Sequence, residues 1–430
     1  MKILVLTWEY PNAISGGLGV AVGGISKALA QNGHDVDILL PQINKGHNED
    51  HVKLIDGASI RLDKALFSEE KEIVEEIKTI NFSEVLLPYL PPQVFEEEVS
   101  IKTKKKVLDD TPEYLILDKV GFTGGYDDNL LLQTRKFAYL ALQVCNKKDY
   151  DFIHCHDWPT FLAGLNLQKK GCQTAFHVHS LEIDRNTKSP IKEIMALEKD
   201  TLAKAKRIIA VSRKVKTTII NEYGTAGDKI SVIPNGSIEA SLQKGNDKGT
   251  MDSKLKIGFV GRFTPQKGPL SFLDIALHLK SKGIEADFTM VGDGYMMDDV
   301  KTKIDKLNLR SDITITGFLP QKETIDLMAS FDLMILPSLA EPFGMTALEA
   351  IQLKVPVITT PNGGLSEFVP SLVQKPIWDM YGIGQSAYDL LFDKEKRNKI
   401  IGQCLKEASN LTWSNTAKSI SKLIDNQLNK

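Results

Sequence analysis

Cysteine is scarce in this chain. Its 430 residues include four, Cys145, Cys155, Cys172 and Cys404, with no C-x-x-C pair and no spacing of the kind that holds zinc. That excludes a disulfide framework as the basis of the fold and points to a reducing, cytoplasmic compartment. Charge of one sign is missing too: a formal net charge of -2 offers no basic field to draw the chain onto nucleic acid. The lysine cluster "KTKKKV" (Lys102 to Val107) sits beside the acidic "FEEEV" and reads as a solvated face. No hydrophobic run approaches the ~20 residues that span a bilayer. The opening "MKILVLTWEYP" reaches Glu9 and Pro11 too soon for a secretion signal and reads as a first strand. Contact with a membrane surface stays open.

What is present is strand-helix alternation, in two blocks. "ILVLT" has the continuous apolar character of a buried parallel strand. A glycine-rich turn, "SGGLG", follows, then a helical pattern through "VAVGGISKALAQNG" that ends at Gly33, and a second strand, "DVDILLP". The stretch from Gln42 to Lys119 is less regular, with Pro88, Pro91 and Pro92 marking a loop. Alternation resumes with the helix "NLLLQTRKFAYLALQVC", the strand "DFIHCHDW", the helix "PTFLAGLNLQKKG", the strand "TAFHVHS", a helix near Ile191 to Ala205 and the strands "RIIAVS" and "ISVIPNG". "SLQKGNDKGTMDSK" is almost devoid of apolar residues and reads as a linker. Beyond it the pattern restarts at "LKIGFVG" and continues through "PVITT". The fold class expected is α/β, two doubly wound parallel-sheet (Rossmann-like) domains facing across a cleft. The boundaries are 1–241, a linker at 242–254, and 255–410.

Chemistry in such domains belongs to the loops after strands. In "EPFGMTALEA", Pro342 disfavours helix at Glu341 and so keeps that carboxylate in a loop. Gly344 permits a tight turn, and a helix starts near Met345 and Thr346, where free N–H groups suit a phosphate. Glu349 falls about one turn further in. Carboxylates repel phosphates, so their natural partners are the hydroxyls on either side, a ribose and a sugar, which is the order of parts in a nucleotide-sugar. Read alone, the segment is equally an ordinary helix start with acidic residues. "GFVGRFTPQKGP" supplies Arg262 and Lys267 after a strand, a pair suited to a departing diphosphate. "SGGLGVAVGG" falls short of G-x-G-x-x-G, because Val22 stands where the last glycine belongs. It suits either a bare tight turn or a turn whose amides approach a phosphate. His156, in "IHCHDWPT", sits at a strand end, and a core imidazole bonded to a carbonyl is the alternative, the role assigned to His154. His177 and His179 repeat the alternation in "FHVHS", yet no cysteine or carboxylate completes a metal set, so no metal is expected. Asp127-Asp128 reads as a turn.

These residues carry a resemblance. The chain resembles the retaining glycosyltransferases of the two-Rossmann-domain type, GT-B, in the family 4 and glycogen (starch) synthase group. "EPFGMTALEA" is similar to the family's E-x7-E motif, "GRFTPQKG" to G-R-x4-K-G, "GGLG" to the N-terminal glycine loop and "HDWPT" to H-D-W. "VSRKV", "VIPNG", "VGDG" and "TPNGGLSEFV" fit as well, so the likeness covers nearly the whole chain. Where bacterial glycogen synthases place a lysine before the glycines, this chain has Ser15.

The resemblance implies transfer of a hexose, glucose above all, from an ADP-, UDP- or GDP-sugar to a carbohydrate acceptor, with retained configuration and without a cofactor or metal. By that likeness Arg262 and Lys267 would hold the diphosphate, Glu341 would lie by the donor sugar and Glu349 would bind the ribose. Phe343, Gly344, Met345 and Thr346 would meet phosphate or sugar, and His156 would sit near the reacting sugar. Gly17 and Gly19 would close over the diphosphate from the other domain. A final helix at 411–430 would cross back to the N-terminal domain. The alternatives are a lipid or small-molecule acceptor, a nucleotide-sugar 2-epimerase, a dinucleotide-dependent dehydrogenase and a non-catalytic carbohydrate-binding protein.

Overall fold

The computed structural model describes residues 1–11, 16–43, 50–63, 117–118, 120–123, 130–187, 189–237 and 254–428. Ser15, the proline-marked loop, the lysine cluster, Asp127-Asp128 and the linker up to residue 253 lie outside them.

In chain order the first block comprises β1 (Lys2–Leu6), α1 (Gly17–Gln31), β2 (Asp35–Leu40), β3 (Lys53–Asp56), α2 (Leu130–Lys147), β4 (Phe152–His156), α3 (Phe161–Lys169), β5 (Thr174–Val178), α4 (Glu182–Arg185), α5 (Lys192–Lys204), β6 (Ile208–Ala210), α6 (Arg213–Tyr223) and β7 (Ile230–Val232). The second comprises β8 (Leu255–Val260), α7 (Pro269–Ser281), β9 (Ala286–Val291), α8 (Met297–Lys306), β10 (Ile313–Gly317), α9 (Gln321–Met328), β11 (Leu333–Leu336), α10 (Met345–Gln352), β12 (Val357–Thr359), β13 (Val373–Gln374), α11 (Met380–Phe392), α12 (Lys394–Ala408) and α13 (Trp413–Leu428).

Two parallel sheets result. The first has the order β3-β2-β1-β4-β5-β6-β7 and the second β10-β9-β8-β11-β12-β13. The strands are short, and β4, β5 and β11 are buried along their whole length, as sheets with helices on both faces require. Chain order reverses direction between β1 and β4 and again between β8 and β11. Those switch points open the crevices in which doubly wound sheets bind ligands.

Three differences from the sequence reading stand out. "SGGLG" is not a free turn: Gly17 and Gly19 already belong to the first turn of α1. The helix α6 lies between two strands that read as consecutive, because only Val215, Ile219 and Tyr223 of its residues are buried. Strand β3 is four residues of mixed polarity. Gly33 ends α1 at φ +86°, in the left-handed region that glycine favours.

The last helix returns to the first sheet. Ala417, Ile420 and Ile424 of α13 join a core with Val22, Ile25 and Leu29 of α1. Trp413 lies so close to Gly24 that a Cβ there would come within 2.3 Å of the indole. Ser237 N–H donates to the Leu411 carbonyl and the Thr416 hydroxyl to that of Pro234, at 3.1 and 2.8 Å.

Candidate active site

The loops after β8 and β11 meet at the second switch point. After β8 the chain passes through Arg262 into a tight 3-10 turn over Pro265–Lys267, and Gly268 adopts φ +68°. That glycine is sterically required, since a Cβ would come within 2.2 Å of the Pro337 carbonyl oxygen at the end of β11. Leu339 N–H donates to the Gln266 carbonyl at 2.8 Å, which ties the two loops together. Lys267 Nζ then lies 2.6 Å from Glu341 Oε2, both side chains about four-fifths buried. Ser338 Oγ also donates to Glu341, at 3.3 Å. Arg262 is exposed on the same loop, where its charge partly offsets the upward push that burial gives the Tyr295 phenol.

Glu341 is held by its backbone as well as by its carboxylate. Its N–H donates to Asn362 and its carbonyl accepts from Gly364, at 3.1 and 3.0 Å. Gly344 then turns the chain at φ +114° into α10 and, as its N-cap, gives the first amides no side-chain cap. Those amides, with the positive end of the helix dipole, are a place for an anion. Glu341, Phe343, Gly344, Ser338 and Gly363 line an open recess. Met345 and Thr346, half-buried, open α10. Glu349 lies in the next turn, and burial pushes its carboxyl up to about 7. The structure thus brings Lys267, Glu341, Phe343, Gly344, Met345, Thr346 and Glu349 together, with Arg262 on the adjoining loop.

On the other sheet the placement differs from the sequence reading. Glu9, just beyond β1, is buried and its Oε2 accepts from the amides of Gly16 and Gly19 at 2.9 and 3.2 Å. A carboxylate of the chain itself therefore occupies the start of α1, the position read as open to a phosphate. His156 is fully buried rather than projecting into open space. Its Nδ1 lies 2.9 Å from His179 Nε2, while His154 Nε2 lies 3.1 Å from His177 Nδ1. His154 is thus paired with another imidazole, not with a carbonyl. Rings of the two strands stack, at 14° and 24° between planes, and burial holds all four well below the ordinary histidine range. His154, His156 and His177 each offer a nitrogen within 4.8 Å of the others. The rings of His154 and His177 are near-parallel, and that of His156 is tilted by 46° and 32° to them. Asp157, at φ +57°, closes β4, and its Oδ1 accepts from the amides of His179 and Ser180 at 2.7 and 3.3 Å.

Two further groups have no signal in the sequence. The first is a buried network that fixes the loop after β5. Arg185 donates to Glu182 and Glu198, and Tyr223 donates to Glu198 at 2.6 Å. The second joins the two sheets. Ser212 Oγ donates to the Pro342 carbonyl at 2.7 Å, and Glu367 accepts from the amides of Arg213 and Lys214 at 2.6 Å each. Lys214 Nζ donates to the Asn362 carbonyl. Burial lowers the Lys214 ammonium, and Asp184, Glu341 and Glu367 act against that shift, so a cation of the first sheet reaches the carboxylate cluster of the second.

Comparison with known proteins identifies the family and the fold. Residues 2–230 match the model of the starch synthase catalytic domain, and 243–401 that of the glycosyl transferases group 1. A glycosyltransferase of Methanocaldococcus jannaschii, described as uncharacterised, is 28% identical over 97% of this chain and 96% of its own. The glycogen synthase of Mycobacterium tuberculosis is 24% identical over 86% of this chain and 80% of its own. Among solved structures, a sucrose-phosphate synthase of Thermosynechococcus elongatus aligns over 99% of both chains with a TM-score of 0.73 at 17% identity. An Anabaena protein in complex with UDP-glucose aligns over 99% of this chain and 100% of its own, with a TM-score of 0.67 and 17% identity. The chain belongs to the GT-B glycosyltransferases of the glycogen and starch synthase-like type.

Proposed function

We propose that the protein is a retaining glycosyltransferase of family 4 character that moves a hexose, glucose first among candidates, from a nucleoside diphosphate sugar to a carbohydrate acceptor in the cytoplasm. The observation that carries this reading is the 2.6 Å contact of Lys267 with Glu341 at the mouth of the second switch point, beside the uncapped start of α10. Without ligand the two charges neutralise each other. A diphosphate on the α10 amides draws the ammonium to itself, with Arg262 beside it, and leaves the Glu341 carboxylate facing the donor sugar.

As the bond from the anomeric carbon to the diphosphate oxygen breaks, negative charge grows on the leaving group, where two cations and a helix start meet it. Positive charge grows on the sugar, where Glu341 stabilises it without forming a covalent bond. The acceptor hydroxyl enters on the face the diphosphate leaves, gives its proton to that diphosphate, and configuration is retained. Cations of the chain supply the charge that a metal would otherwise supply, so the reaction proceeds without one. Glu349 takes the ribose hydroxyls, and His156, fully buried, supports the sugar end only through the end of β4 and its partner His179, not by contact. Residues 1–241 and 255–410 act as the acceptor-side and donor-side domains, joined at 242–254, with 411–430 returning to the former.

The test is release of nucleoside diphosphate from ADP-, UDP- and GDP-sugars, with and without maltooligosaccharides, and NMR of the product anomer. Lys267→Ala and Arg262→Ala are expected to lower kcat by about 10²–10³-fold. Near-normal turnover in both would overturn leaving-group stabilisation by these residues. Release that ignores oligosaccharides would point to a lipid or small-molecule acceptor instead.

A further inference from the structure

The second block carries an aromatic face that its core does not use. Helix α11 buries Ile383, Ala387, Leu390 and Leu391 against the sheet. Its outward residues are Tyr381, Gln385, Tyr388 and Phe392, spaced four, three and four residues apart, so they form one stripe. Tyr381 is 75% exposed, Tyr388 55% and Phe392 52%, and Trp378, just before the helix, is 81% exposed. The rings of Tyr388 and Phe392 lie 4.9 Å apart. From Tyr381 to Phe392 the stripe runs for about 16 Å.

Its position links it to the crevice. Trp378 follows the carboxyl end of β13, which pairs in parallel with β12, and the end of β12 lines the recess of Glu341. All these strand ends share one rim, and β13 is two strands, about 10 Å, from β11. The stripe therefore starts at the rim of the candidate active site and leads away from it.

Its chemistry selects the occupant. Between Pro376 and Asp393 there is no lysine or arginine, and there are three aspartates. Asp389 is paired with Lys396 of α12, so the face is close to neutral, and the helix itself carries no cation for anionic lipids, nucleic acid or phosphorylated polymers. The exposed side chains of the stripe are flat rings with an amide between them, and α11 itself exposes no aliphatic residue. Pyranose rings present a C–H face whose partial positive charge suits the negative face of an aromatic ring, and their hydroxyls suit Gln385 and the tyrosine hydroxyls.

We propose that Trp378 and the outward face of α11 form a docking track for a neutral polysaccharide, holding the distal part of a long acceptor whose end enters the crevice. This rests on the carbohydrate-acceptor reading above, yet binding is measured without turnover, so the two fail separately.

The experiment is native gel electrophoresis of the full chain in gels containing glycogen, amylopectin, dextran or galactomannan. It compares wild type with Trp378→Ala, Tyr388→Ala and the pair, alongside sedimentation velocity and donor binding. Retardation by at least one polysaccharide is expected, reduced about tenfold in apparent affinity in the double variant while donor affinity is unchanged. If glycogen or amylopectin is the acceptor, KM rises for the polymer and not for maltotriose. Retardation equal in all variants, or absent with every polysaccharide, overturns the track. A shift from dimer to monomer in the variants without change in retardation assigns the face to a second copy, and also overturns it. Polysaccharide binding by a protein that turns over no carbohydrate acceptor would keep the track and sink only the reading on which it rests.

Discussion

Glu349 illustrates how a single side chain can trade stability for binding. Its carboxyl is raised to about 7 by burial alone. Below the ordinary carboxyl range near 4.3 both folded and unfolded chains hold the proton, and the residue costs nothing. Between there and about 7 the folded state holds more proton than the unfolded one, so stability falls as pH rises, and levels off above 7. The full cost is on the order of 3 kcal/mol. Glu349→Gln removes it. The variant is therefore expected to melt above wild type at pH 8 and level with it at pH 4, while its KM for the donor rises as a ribose ligand is lost. A thermal-shift series across pH checks the first and initial rates the second. An equal melting difference at both pH values would show that burial of the charge is not what Glu349 contributes. At this scale the sequence was readable where the cause was local. Pro342 and Gly344 set the loop and the turn within four residues of Glu341. Lys267 and Glu341 were readable as a pair only in outline, because their contact spans 74 residues. The His154–His177 pairing, and the carboxylate of Glu9 on the start of α1, were not readable, since nothing in either segment names its partner on another strand or helix.

Between elements, the joint of the two sheets depends on a cap that crosses from one to the other. The start of α6 is capped by Ser212, which accepts from Val215 N–H at 3.1 Å, and by Glu367 of the second sheet on two more amides. A carboxylate at a helix start contributes about 0.3–2 kcal/mol, more when partly buried. Glu367→Gln keeps one acceptor oxygen and loses the charge. Glu367→Ala loses both, and is expected to lower kcat/KM by about tenfold with only a small fall in Tm, because the apolar cluster that runs through both blocks, with Val215 and Ile219 on one side and Phe343 and Leu365 on the other, remains. Small-angle scattering should report a wider ligand-free particle for the alanine variant. A large fall in Tm with unchanged dimensions would mean that the residue serves the fold rather than the joint. Nothing in "TPNGGLSEFV" or "VSRKV" announces this contact, although both segments were singled out. Helix α6 itself escaped notice for a related reason: with three buried residues and a polar remainder, its period is too faint beside two apolar strands.

For the molecule as a whole, the alternation of strands and helices was readable because the inner parallel strands, such as β1, β4, β5 and β11, are short buried apolar runs that need no partner to be recognised, whereas the edge strand β3 is not. What the pattern alone could not give was how the two blocks depend on each other, and α13 governs that. The helix follows the second sheet in the chain but completes the core of the first, packing Ala417, Ile420 and Ile424 against α1. Trp413 begins it, seated on Gly24 and beside Gly236, where an added Cβ would come within 2.2 Å of the Trp413 nitrogen. The two blocks are thus joined through the chain twice, once through 238–253 and once through α13, and unfolding of the first must release the end of the second. Trp413 is partly buried, so Trp413→Ala strips the seat of its packing and is expected to cost about 1–3 kcal/mol. The loss falls on the first block, so calorimetry should show a transition that moves down and separates from a second one held near its wild-type temperature. A variant with one transition, shifted as a unit, would mean that the contacts of Ser212, Lys214 and Glu367, not the returning helix, bind the two sheets into one cooperative body.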